Sequence, residues 1–185
     1  IAPRAFSITN GMSMALPPEY VDRLLAGQDG HIYADIDFQA RLLLFVRPSI
    51  AFINTLNQGL NPQQFARITH MVDLYKNFVR PFHRSGRIYH HTPEFKTPEP
   101  QGWGVLEMAS ADRTRGIAGV FQLSSPQEKE YLLRPRGLDV SRRYRVTWDN
   151  RAQTCLVDGF TLMQQGITVR LEGALTSELL LFEAE

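Results

Sequence analysis

Downstream of about residue 85, apolar and polar positions alternate with a period of two. Tyr144, Val146 and Trp148 alternate with Arg143, Arg145 and Thr147, and Ile167, Val169 and Leu171 alternate with Thr168 and Arg170. That alternation sets one face of a strand on a core and the other in water. Residues 87–91, 103–109, 116–123, 130–134, 154–157 and 178–182 read as further strands. Turn signals at Pro135-Arg136-Gly137, Asp149-Asn150 and Asp158-Gly159 separate several of them. Eight short strands at this spacing predict an antiparallel sandwich or barrel.

Upstream the period is helical. In "LNPQQFARITHMVDLYKNFVRP", Phe65, Ile68, Val72, Tyr75 and Val79 recur at three-four spacing and make one apolar face. Asn61 is the expected N-cap, Pro62 suits the first helical position, and Gln64 completes a capping box. Leu60 and Phe65 are placed to form a hydrophobic staple, and Pro81 is expected to stop the helix. Residues 36–46 predict a helix and 49–53 a short buried strand. Before them, 12–16 predict a strand and 18–26 a short helix capped by Gly27. Strand, helix, strand, helix is the rhythm of a parallel sheet. Two such units leave strand faces uncovered, so the first half is expected to be loose alone, whereas residues 85–185 are expected to fold alone.

Composition narrows the function classes. With 43% hydrophobic and 21% charged residues the chain can bury a core. A net charge of +1 argues against nucleic acid or a polybasic membrane surface as partner. The apolar runs 42–46 and 179–182 are too short to span a bilayer. Cys155 is the only cysteine, so neither an intrachain disulfide nor a cysteine-rich metal site is expected, and the compartment is left open. The chain starts at Ile1 without a signal peptide, which suggests processing or membership of a longer chain.

Certain words in the sequence resemble a known family. "EYLLRPRGLDVSRRYRVTWDN" (130–150) and "GFTLMQQGITVRLEGALTSELLLFEAE" (159–185) are similar to the C-terminal ends of family-36 glycoside hydrolases, the α-galactosidase-like enzymes. "YKNFVRPFHRSGRIYHHTPE" (75–94) resembles their passage from the last barrel helix into a C-terminal sandwich. "NGMSMALPPEY" (10–20) resembles the segment shortly after their acid/base aspartate. The resemblance implies the last βα units of a (β/α)8 barrel over residues 1–84 and an antiparallel β-sandwich over 85–185. It also implies a retaining enzyme whose two catalytic aspartates, about 5–5.5 Å apart, would lie N-terminal to Ile1. No catalytic residue is expected in the chain itself, which would support barrel closure and be inactive alone. The partner implied is an α-galactoside or related oligosaccharide, reached through the parent enzyme. No cofactor is expected, and homo-oligomerisation is open.

Other chemistry is weaker in the sequence. Asp35 with Asp37, and Glu107 with Asp112, are the carboxylate pairs on paper. The first reads as a helix start, and the second as a strand with the hairpin tip Ser110–Arg115. His83, His90, His91 and Glu94 lack zinc-ligand spacing, and Ser13 lacks a nucleophile elbow. Trp103 and Trp148 read first as packing residues. A sugar-stacking role for them defines the alternative: a non-catalytic β-sandwich that binds carbohydrate or another chain. Asn54 and Asn57, just after the strand at 49–53, are the candidate substrate-binding residues, since amides both donate to and accept from sugar hydroxyls.

Overall fold

The computed structural model describes residues 2–26, 35–51, 60–92, 99–124 and 128–185. The chain opens with helix α1 (Ala2–Ala15), where residues 12–16 predict a strand. Its buried stripe, Ala2, Ala5, Phe6, Thr9, Asn10 and Ser13, follows helical spacing but contains a single large apolar side chain. The hydropathy pattern therefore carries little of it. Met12, Met14 and Leu16, which suggest the strand, stand on the exposed side.

A 3-10 turn (Pro18–Tyr20) and strand β1 (Asp22–Ala26) replace the short helix expected over 18–26. β1 pairs in parallel with β2 (Arg47–Ala51), from Asp22 opposite Arg47 to Ala26 opposite Ala51. Pairing outweighs the helical propensity of Asp-Arg-Leu-Leu-Ala. Two parallel strands are thus present, as the rhythm predicts, with the first about ten residues downstream of its expected place.

Between them, α2 (Ile36–Leu43) forms within the expected 36–46 but ends earlier. Pro48 biases Arg47 towards extended backbone, and the chain enters β2 there. Helix α3 (Pro62–Leu74) starts at the expected capping box: Gln64 N–H donates to Asn61 Oδ1 and Asn61 N–H to Gln64 Oε1, both at 2.9 Å. Ile68, Met71 and Val79 are buried on its inner side, while Phe65 stays exposed. Pro81 does not stop the helix. A π turn (Tyr75–Val79) passes into α4 (Arg80–His83), and Arg80 N–H reaches back to the Tyr75 carbonyl. The wider turn accommodates a proline that lacks an N–H and crowds the carbonyl four residues earlier.

Eight strands follow: β3 (Arg87–His90), β4 (Trp103–Ala109), β5 (Arg115–Gln122), β6 (Glu130–Leu133), β7 (Arg143–Trp148), β8 (Gln153–Asp158), β9 (Ile167–Arg170) and β10 (Ser177–Ala184). Six form one antiparallel sheet in the order β3-β4-β5-β10-β7-β8, and β6 pairs with β9 in a small second sheet. The large sheet has a core on each face. Leu106, Met108, Ile117, Phe121, Leu179 and Leu181 meet side chains of α1, α2 and α3. The Phe121 ring lies 5.3 Å from Phe6 and 5.0 Å from Phe38, centroid to centroid. On the opposite face Val120, Tyr144, Val146, Leu180 and Phe182 cluster with Leu133 of β6 and Val169 of β9. Burial on both faces explains why β4, β5 and β10 are nearly continuous apolar runs, whereas β7 alternates. No described helix is long and apolar enough to cross a membrane.

Candidate functional site

The strongest concentration of charge lies where the helices meet the large sheet. α2 brings Asp37 and Arg41, α3 brings Arg67 and His70, the turn after β7 brings Asp149 and Asn150, and β10 brings Ser177 and Glu178. Arg41 is fully buried, immediately before the apolar run 42–46. Its Nη2 donates to Asp149 Oδ2 at 2.5 Å and Asn150 Oδ1 at 2.6 Å, and its Nη1 to the Ser177 carbonyl at 2.5 Å. Asp149 also accepts from Arg67 Nη2 at 2.8 Å and contacts His70 Nε2 at 2.5 Å. Arg67 Nε spans to Asp37 Oδ1 at 2.8 Å. Glu178 accepts from the Asn150 and Leu179 N–H groups, both at 2.9 Å.

The electrostatics follow from these partners. Burial pushes the Asp149 carboxyl up, but Arg41, by its charge and its hydrogen bond, and His70 pull it below the usual range. Burial holds Glu178 above its usual value despite those two N–H groups and Arg41. With three donors on the Asp149 carboxylate, the cluster ties the helices to the sheet, although the buried Nε of Arg41 has no hydrogen-bond partner among the described residues. Its members were only partly visible in the sequence. Asp149-Asn150 reads as a turn, and Arg41 was missed. A lone arginine beside an apolar run is the signal that could have found it, because such a charge is buried only when paired.

The other candidate residues resolve as follows. Asp35 caps α2 by accepting from Phe38 N–H at 2.5 Å, and Asp37 pairs with Arg67. Burial, and more weakly repulsion by Asp37, raise the pKa of Asp35, a shift that no local sequence pattern signals. Asp112 accepts from Ser110 Oγ at 2.6 Å and from Thr114 N–H at 3.0 Å, and these bonds lower its pKa to about 2. It locks the β4–β5 tip, where Arg113 takes a positive φ of 58°. Glu107 is fully buried: its oxygens accept from Gly137 N–H at 2.7 Å, Arg136 N–H at 2.8 Å and His91 Nε2 at 2.8 Å.

His90 Nε2 lies 3.0 Å from Ser13 Oγ, which itself donates to the Asn10 carbonyl. His83 is buried, and Glu94, Asn54 and Asn57 lie outside the described residues. No group of three or more histidine, cysteine, aspartate or glutamate side chains suited to a metal is found among the described residues. Trp103 and Trp148 are half-buried against the second core, Trp103 at 5.8 Å from Tyr131.

The glycosyl hydrolase family 36 C-terminal domain matches residues 103–182, from β4 into β10. No curated protein sequence is matched. Among solved structures, the galactosidase domain of the α-galactosidase–sucrose kinase AgaSK superposes with a TM-score of 0.78 at 13% identity over 99% of this chain. A variant of the family-36 α-galactosidase AgaA of Geobacillus stearothermophilus, in complex with raffinose, gives 0.77 at 17% identity over the whole chain. The α-galactosidase of Lactobacillus brevis gives 0.78 at 18% identity, also over the whole chain. In each case the chain spans about a quarter of the other protein's length, 25%. At these identities the superpositions speak for the fold, and the family match speaks for the sequence. Residues 103–182 thus match the family-36 C-terminal domain in sequence, the whole chain is similar in fold to part of these α-galactosidases, and together the two support a C-terminal part of a family-36 glycosyl hydrolase.

Proposed function

We propose that the chain serves a retaining α-galactosidase-like hydrolase as its C-terminal region. Residues 1–84 close a (β/α)8 barrel, residues 85–185 form a β-sandwich domain, and the catalytic aspartates come from outside these 185 residues. The observation that carries this is the β1–β2 pair. It is parallel, it is joined through α2, and no other described strand extends it. Parallel strands are stable when both faces are covered. Here Leu25 is buried while Leu24 and Ile50 are exposed, as are Ile8 and Met12 on α1. That is the surface a barrel interior and neighbouring units would cover.

In this arrangement the segments after β1 and β2 are βα loops at the substrate end of the barrel. Asn54 and Asn57 belong to the second, so they are proposed to meet substrate hydroxyls. The charged junction then fastens the helices that follow those loops to the large sheet. The substrate class is an α-galactoside or related oligosaccharide. Two measurements on the longer chain carrying these residues test the proposal. Proton NMR of the first-formed sugar from an aryl α-galactoside should show the α-anomer, and release of the β-anomer would overturn retention. Asn54→Ala should lower kcat/KM by roughly two- to twelve-fold, the worth of one neutral hydrogen bond. A change in thermal stability alone would remove Asn54 from the site.

A further inference from the structure

Glu107 and His91 do not belong to the junction, and they lie under a separate pocket. That pocket, about 440 Å³, is lined by His91, Tyr131, Arg134, Arg136, Met163 and Gln164 among others, and among the described residues no carboxylate lines it. Its floor is rigid. Glu107 accepts from two successive backbone N–H groups, those of Arg136 and Gly137. A Cβ on residue 137 would fall 2.4 Å from Ala109 Cβ and 3.0 Å from Glu107 Oε1, so only glycine permits this approach. Glu107 also holds His91 Nε2 at 2.8 Å, which fixes the ring at the edge of the pocket.

The walls are basic. Arg134 Nε donates to the Gln164 carbonyl at 3.0 Å, which fixes the guanidinium, and among the described residues its Nη groups have no acceptor. Arg136 Nη1 makes one long bond, 3.3 Å, to the His90 carbonyl. Among the described residues neither arginine is paired with a carboxylate, unlike Arg142, Arg145 and Arg170 nearby in the chain. Tyr131 adds an aromatic wall backed by Trp103.

We propose that this pocket binds an oxyanion, phosphate or carboxylate, carried by a small hydroxylated molecule. Arg134 and Arg136 take the charged oxygens, as guanidinium groups do in a fork. His91, which lines the pocket and is held by the buried Glu107, lies where it reports on an occupant. The pocket's size suits a monosaccharide-sized ligand. This site is independent of the barrel assignment, and its test uses the 185-residue chain. Inorganic phosphate and galacturonate are titrated separately while the His91 ring resonances are followed by NMR, with sodium chloride at matched ionic strength as the comparison. Saturable shifts of His91 with either probe, weakened tenfold or more in Arg134→Gln/Arg136→Gln, support the proposal. Response to phosphate alone identifies a phosphate ester as the ligand class; response to galacturonate alone identifies a sugar acid. Shifts that sodium chloride reproduces, or binding that survives in a double variant with unchanged melting temperature, overturn it.

Discussion

Asp149 is the residue on which the contact between helices and sheet depends most. It is buried and binds Arg41, Arg67 and His70. Asp149→Ala leaves the Arg41 charge with only the more distant Glu178, 3.9 Å away, and loss of one member of a buried pair costs about 3–5 kcal/mol. Urea unfolding should show that loss, and a change under 1 kcal/mol would mean water reaches Arg41. The pH dependence has two signs. Asp149 is depressed below its ordinary 3.8, so its contribution is present above that pH and lost as pH falls through the folded value. Glu178 is raised above 4.5 and Asp35 above 3.8, so both disfavour the fold at neutral pH and stop doing so on protonation. Stability should therefore rise slightly on mild acidification and fall below about pH 4. Glu178→Gln should reduce the rise, and Asp149→Asn should remove most of the fall. At this scale the sequence was least informative. Arg41 lies 108 positions from Asp149, and no local pattern encodes such a pairing.

The elements divide by whether their cause is local. The α3 cap was legible because Asn61, Pro62 and Gln64 are neighbours in the chain. Asn61→Ala should cost about 1 kcal/mol, within a range of roughly 0.5–2, in thermal unfolding; no loss would mean the cap is redundant. The strands β3 to β10 were legible because alternation and turn residues are local too. β1 was not, since only β2, twenty-five residues on, makes it a strand. α1 was hidden by its own composition: its buried stripe is small and polar, and its exposed side carries the methionines. The π turn was missed because Pro81 reads as a stop, and only the packing of Val79 and Phe82 shows that the helix carries on. Gly137→Ala tests a third kind of cause, close approach. It should destabilise by about 1–3 kcal/mol, as overpacking does, and should loosen the His91 ring. An unperturbed His91 signal would contradict the role given to that glycine.

Across the whole molecule, one apolar core joins α1, α2 and α3 to the large sheet. Residues 85–185 expressed alone would expose Leu106, Met108, Ile117, Phe121, Leu179 and Leu181 together. We therefore expect that piece to self-associate or melt well below the full chain, contrary to what strand spacing alone suggests. A cooperative transition at the full chain's temperature would restore the independent sandwich. The central claim is that these 185 residues support catalysis without performing it. The most direct measurement is hydrolysis of an aryl α-galactoside by the purified chain. No turnover above the buffer rate is expected, whereas a longer chain that carries these residues is expected to be active. Turnover by the 185-residue chain that disappears in Asp35→Asn or Asp37→Asn would contradict it.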